Sequence, residues 1–117
     1  MNFIAGVLLY HSGEVNAFWL LCTLMTKYKL NHVLQPGFPG IEAHSNQIQK
    51  LIENKLPLLD KHFQKMDVTV NLFTTEWVLS IFLSFIPIEL SNIYLDKFFE
   101  KGWEVLYRVA IEVLRYF

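Results

Sequence analysis

The side chains able to do chemistry are few and far apart. Histidines stand singly at His11, His32, His44 and His62, none within four residues of another. The one cysteine, Cys22, is not at ligand spacing from any of them, so the spacing that builds a metal site is missing. A lone cysteine also allows no internal disulfide; in an apolar helical pattern it reads as an inert buried thiol in a reducing compartment. Glu89 and Asp96 lie seven apart. On one unbroken helix they would share a face, as acid–base chemistry requires; capping, or a buried ion pair with Lys97 or Lys101, is the plainer reading. The turn Pro36-Gly37-Phe38-Pro39-Gly40 has no adjoining lysine and hydroxyl to hold a phosphate, and there is no Gly-x-Ser-x-Gly elbow. Only two arginines occur, Arg108 and Arg115, both on the charged side of the last predicted helix. No catalytic residue, metal or cofactor is expected from these residues.

The elements that would position them are all helical. Asn71–Ile88 is predicted as one central helix, with Phe73, Trp77, Ile81 and Phe85 in one row and Val78, Phe82 and Ile86 in a second, ended by Pro87. Met1–Tyr10 is a short apolar segment, broken at His11-Ser12-Gly13, with Ser12 placed to cap the next helix. That helix, Glu14–Tyr28, has few polar positions and reads as buried. Lys29–Gly40 is a connector whose Phe38, between two Pro-Gly pairs, reads as an anchor in the core, with a binding loop as the alternative. Ile41–Leu56 is the most clearly amphipathic segment and reads as a surface helix. Pro57 opens a further short helix, with His62 near its apolar face as a hydrogen-bonded structural histidine, and Asp67 is placed to cap the next entry. Ile88–Phe99 and Trp103–Phe117 come last, separated by Gly102, with Glu104–Arg108 and Arg108–Glu112 pairs on the outer side of the final helix. The expected fold is all-α, six or seven helices in a bundle-like array, with residues 1–117 as one unit.

Composition adds a constraint. Apolar residues make up 53% of the 117 and charged residues 18%, with ten phenylalanines, five tyrosines and three tryptophans. So small a core does not easily hide that many rings, which implies apolar surface covered by something else and a tendency to self-associate. The net charge of -1 without a basic stripe gives nucleic-acid binding little support. No basic leader precedes the first apolar residues, so a secretory signal is not expected. Trp77–Leu95 is apolar enough to suggest a membrane span, but Pro87 and Glu89 fall inside it, and two buried helices joined at Pro87 are expected instead.

The order of several short blocks resembles the TBC domain of Rab GTPase-activating proteins, over essentially the whole chain. Ala17-Phe18-Trp19-Leu20 and Leu24-Met25 resemble one family block; Tyr28 and Pro36-Gly37 fit the turn after it. Leu56-Pro57 with His62 resembles a second, and Glu76-Trp77-Val78-Leu79 with Phe82 the family's tryptophan helix. Phe85-Ile86-Pro87-Ile88-Glu89, Asp96, Phe98, Gly102 and Val105–Ala110, with Arg108, complete the series. Leu95 and Lys101 depart from it, where the family usually has a tryptophan and an acidic residue. The resemblance implies an all-helical domain of about twice this length, acting on a Rab-type small GTPase in vesicle trafficking, hence in the cytoplasm or on trafficking membranes. It implies two activator-supplied groups, an arginine that stabilises transition-state charge and a glutamine that positions water. Met1-Asn2 resembles the tail of the glutamine motif, and no residue matches either finger. This corresponds to a carboxy-terminal portion that is inactive by itself, or to a non-catalytic binding module; Phe18, Trp19, Pro57, His62, Trp77, Phe82, Pro87, Asp96, Gly102 and Arg108 are then core and motif positions, without catalytic roles.

Overall fold

The computed structural model describes residues 2–35 and 39–116, so the Pro36-Gly37 turn and the anchoring role of Phe38 lie outside the described residues. Among the described residues there are seven α-helices and no strand: α1 (Asn2–Thr26), α2 (Leu30–Val33), α3 (Pro39–Lys55), α4 (Pro57–Lys65), α5 (Asn71–Leu79), α6 (Ser91–Lys101) and α7 (Trp103–Leu114), with a 3-10 turn at Leu83–Phe85.

The hub is α3, not the apolar segment after it. Ile41, Ser45, Ile48 and Ile52 fall at helical spacing on one stripe and are all buried. That stripe supports packing against α2, α4, α5 and α7. The expectation of a surface helix is therefore corrected. A clean division into apolar stripe and polar back lets a helix sit at the centre of one side of a layered structure while its other side stays wet. One polar pair crosses the α3–α5 contact. Thr74 donates its hydroxyl proton to the Val70 carbonyl (3.0 Å), so Ser45 is the donor in the 2.8 Å bond between the two hydroxyls, and both buried groups are satisfied.

The segment predicted as one helix from Asn71 to Ile88 breaks after Leu79. Ile81 and Phe82 take left-handed backbone angles (φ 46° and 71°), uncommon outside glycine and rarest for a β-branched residue such as Ile81. The physical reason is burial. Ile81, Phe82 and Leu83 are 0%, 3% and 1% exposed. Consecutive helical residues point about 100° apart, so a helix on the edge of a layer cannot bury three in a row, whereas a turn can. The rings still stack: Phe63, Phe73, Trp77, Phe82 and Phe85 form a chain with successive centroids 4.9–5.8 Å apart.

Other boundaries move for similarly local reasons. α1 runs through His11-Ser12 and kinks at Gly13 (φ 76°, ψ 172°), a conformation reserved for glycine. Ser12 donates back to the Leu8 carbonyl (2.7 Å), so it closes the first half of α1 and does not cap the second. Asp67 sits in left-handed backbone and α5 starts from Val70 without a side-chain cap. Because α6 begins at Ser91, Glu89 lies in the turn before it; Glu89 and Asp96 do not share a helix, which removes the carboxylate pair. Gly102 separates α6 from α7 at φ 76°, as its position suggested.

The molecule is thin. Its extents are 48 × 31 × 21 Å, about two helix diameters in the shortest direction. The radius of gyration, 14.8 Å, exceeds the roughly 13.4 Å expected of a compact domain of this length. The accessible surface of 7404 Å² also exceeds the roughly 6,600 Å² expected at this mass. Two helical layers give the excess of apolar residues too little interior. No helix of the described residues is long and apolar enough to cross a membrane.

Candidate functional site

Two kinds of feature stand out: polar joints between helices, and apolar faces left open. The largest joint lies where α6, α7, α3 and the end of α1 converge. Trp103 opens α7 and donates its indole N–H to the Tyr28 carbonyl (2.7 Å), while the Tyr28 hydroxyl donates to the Phe99 carbonyl. The His44 ring stacks on Trp103 at 4.0 Å and 29°, and its Nδ1 meets the Tyr107 hydroxyl. Burial lowers the His44 pKa from its ordinary value and raises that of Tyr107. A neutral imidazole accepting from the phenol fits both directions. A second joint ties α1 to the start of α6. His11 Nε2 lies 2.6 Å from Ser91 Oγ and 2.9 Å from the Ile88 carbonyl, and Ser91 itself donates to that carbonyl (2.7 Å). Ser91 is fully buried, so this histidine–serine contact is a rivet without access for a substrate.

Neither joint has a local signature, since the hydrogen-bonded partners across them are 63 to 80 residues apart. Among the described residues no three metal-ligating side chains converge, and the histidines remain separate.

The motif positions divide sharply. Trp77, Phe82 and Gly102 are buried. Pro57, His62, Pro87, Asp96 and Arg108 are exposed. The expectation that His62 is a hydrogen-bonded structural residue is corrected: it lies on the outer side of α4, beside a groove. Arg108 pairs with Glu104 on the solvent side of α7 (2.6 Å), and Glu112 turns to Arg115 (3.7 Å) instead of Arg108. Phe18 and Trp19, expected in the core, are 59% and 64% exposed. The kink at Gly13 re-aims the second half of α1, so Ala17 and Leu24 are buried while Val15, Phe18 and Trp19 face outward at positions i, i+3 and i+4. Phe3 and Tyr10, seven apart in the first half of α1, are exposed too. A hollow of about 160 Å³ in the crook between the halves is lined by Ala5, Leu9, Glu14, Ala17, Phe18 and Leu21. Phe18 and Trp19 meet edge to face at 5.4 Å, forming an aromatic ridge beside it.

The polar joints of this layered helical domain fasten helices together, and aromatic side chains of α1 stay open. The chain belongs to the Rab-GTPase-TBC domain family, whose model matches residues 1–117. It is similar to the Rab GTPase-activating protein eat-17 of Caenorhabditis elegans (27% identity over 97% of this chain and 13% of that protein). It is also similar to the human ecotropic viral integration site 5 protein homolog (30%, over 97% of this chain and 14% of that protein) and to the GTPase-activating protein GYP5 of Saccharomyces cerevisiae (31%, over 97% and 13%). The chain thus spans about an eighth of the length of these curated relatives. No solved structure matches the chain significantly.

The assignment of the chain as inactive by itself is corrected by these matches. They place it, along its whole length, in the Rab-GTPase-TBC domain family, and two of the relatives named, eat-17 and GYP5, are GTPase-activating proteins. No arrangement among the described residues marks it as inactive.

Proposed function

We propose that this chain belongs to the GTP-hydrolysis-stimulating machinery of a Rab-type small GTPase and meets that GTPase through the ridge formed by Val15, Phe18 and Trp19. The observation that carries the reading is the family match over residues 1–117. The exposed ridge supports the choice of surface: rigid aromatic rings already held out of the core are the residue types that anchor protein interfaces. Their position on α1, whose buried side is fixed by Ile4, Val7, Leu8, Ala17 and Leu24, means that no refolding is required to present them. The reading carries a cytoplasmic location at trafficking membranes with it, checked by imaging the tagged chain against markers of those membranes.

The test is a panel of purified Rab-type GTPases loaded with GTP. Binding of the chain is followed by interferometry and phosphate release by a fluorescent sensor. At least one GTPase is expected to bind and to release phosphate faster. Phe18→Ala/Trp19→Ala should weaken binding by about 2 kcal/mol or more, the cost of truncating central aromatic anchors, with helicity retained. A panel with neither binding nor acceleration overturns the reading, and acceleration insensitive to the double variant overturns the choice of surface.

A further inference from the structure

We infer that the groove between α4 and α7 is a docking site for a short acidic segment of a partner protein, aliphatic residues seated inward and carboxylates on the rim. This is independent of the GTPase contact proposed above, and lies on different elements.

The groove, of about 710 Å³, is lined by Lys55 and Leu56 at the α3–α4 junction, by Pro57, Leu58, Leu59, His62 and Phe63 of α4, and by Leu114 and Arg115 at the end of α7. Leu56, Leu59 and Phe63 are half-buried, Leu114 is buried, and Leu58 stands 81% exposed at the edge. This is a floor against which aliphatic side chains can lose their water, with one leucine that the fold itself leaves uncovered.

The rim decides what kind of segment fits. Its ionisable groups are Lys55, His62 and Arg115, and no carboxylate of the described residues lines the groove. Two acids of the neighbouring helices, Glu53 and Asp60, are held by amides. Gln49 of α3 donates to both Glu53 (3.1 Å) and Asp60 (3.0 Å), and Gln64 donates to the other Asp60 oxygen (3.2 Å). That amide network holds the carboxylates of α3 and α4 together across the contact between those two helices. The nearby acid on α7, Glu112, sits 3.7 Å from Arg115 in an exposed and weak pair, and Lys55 and Arg115 also border the adjacent groove between α3 and α7, where Glu104 and Glu112 stand. Lys55 has no ion-pair partner among the described residues. An occupant with apolar residues alone would leave the Lys55 and Arg115 charges beside a desolvated face; one carrying carboxylates answers them.

The test uses the 117-residue chain and a short fluorescein-labelled peptide alternating leucine and glutamate, read by anisotropy. Saturable binding that weakens as salt rises is expected. Lys55→Glu/Arg115→Glu should weaken it by about tenfold or more, and Leu58→Ser, a change at an exposed position that leaves folding intact, should weaken it independently. Absence of saturable binding overturns the proposal. So does equal binding of a peptide with lysine in place of glutamate, an affinity unchanged by either variant, or capture of phosphatidylserine vesicles without capture of the peptide, which would assign the basic rim to a lipid surface.

Discussion

At the scale of single residues, the informative positions are those where backbone and neighbours leave no choice. Gly102 combines φ 76° and ψ −148° with a tight wall: a Cβ there would lie 3.2 Å from Tyr28 Cε1. Tyr28 cannot give way easily, because its hydroxyl is bonded to Phe99 and its carbonyl to Trp103. Gly102→Ala should therefore destabilise the chain by about 1–3 kcal/mol in urea unfolding, whereas Gly6→Ala, with open space around it in a helix interior, should be neutral or stabilising. His44 makes a second prediction. Its folded pKa lies below the ordinary 6.5 because burial disfavours the cation. The unfolded chain then binds the proton more readily than the folded one. The stability it contributes is fully present above 6.5 and is lost as pH falls below that value through the lowered folded pKa. Unfolding free energies measured from about pH 7.5 down to about pH 5 should fall, and His44→Gln should flatten that part of the profile; equal slopes in both proteins would place the proton uptake elsewhere. Gly102 is legible in the sequence because glycine between two apolar periods has a local meaning. His44 is not, because its environment is made by Trp103 and Tyr107, far along the chain.

At the scale of elements, the contrast between α3 and the Asn71–Ile88 segment explains what periodicity can and cannot show. It finds α3 and the start of the apolar segment, but not the break after Leu79. It does not rank them, because apolar content is not depth. The apolar segment spends its residues differently, on a short helix, a left-handed turn at Ile81-Phe82 and a 3-10 turn. Leu72 and Phe85 come out exposed as a result. The amphipathic α3 instead joins four other helices through a few residues. Ile48, fully buried at the centre of that stripe, should cost about 2–5 kcal/mol on truncation to alanine. Leu72→Ala, at a position 73% exposed, should stay within about 0.5 kcal/mol. Chemical denaturation of both variants measures the ranking, and a larger loss at Leu72 would return the central role to α5. Gly13 teaches the same lesson for α1: the break is visible in the sequence, but the new direction of the helix after it, which takes Phe18 and Trp19 out of the core, depends on what the second half packs against.

At the scale of the whole molecule, the apolar composition and the thin two-layer shape have one consequence. Of the rings that the interior cannot hold, Phe3, Tyr10, Phe18 and Trp19 are exposed on α1 beside the open Val15, with Leu90 and Ile93 open at the start of α6. The formal net charge of -1 supplies little repulsion to keep such faces apart near neutral pH. Without a partner, two copies can satisfy each other's apolar faces, so the chain should self-associate as its concentration rises. Sedimentation velocity across a concentration series checks this. The weight-average mass should climb above 13.8 kDa, and Phe18→Ser/Trp19→Ser should return it toward the single-chain value without loss of helicity. The direction of the salt effect separates this contact from a charged one: association driven by apolar burial persists or strengthens as ionic strength rises, whereas ion pairing is screened. If the same double variant also abolishes the GTPase contact, one surface serves both, and adding the GTPase should dissolve the self-associated form by mass action.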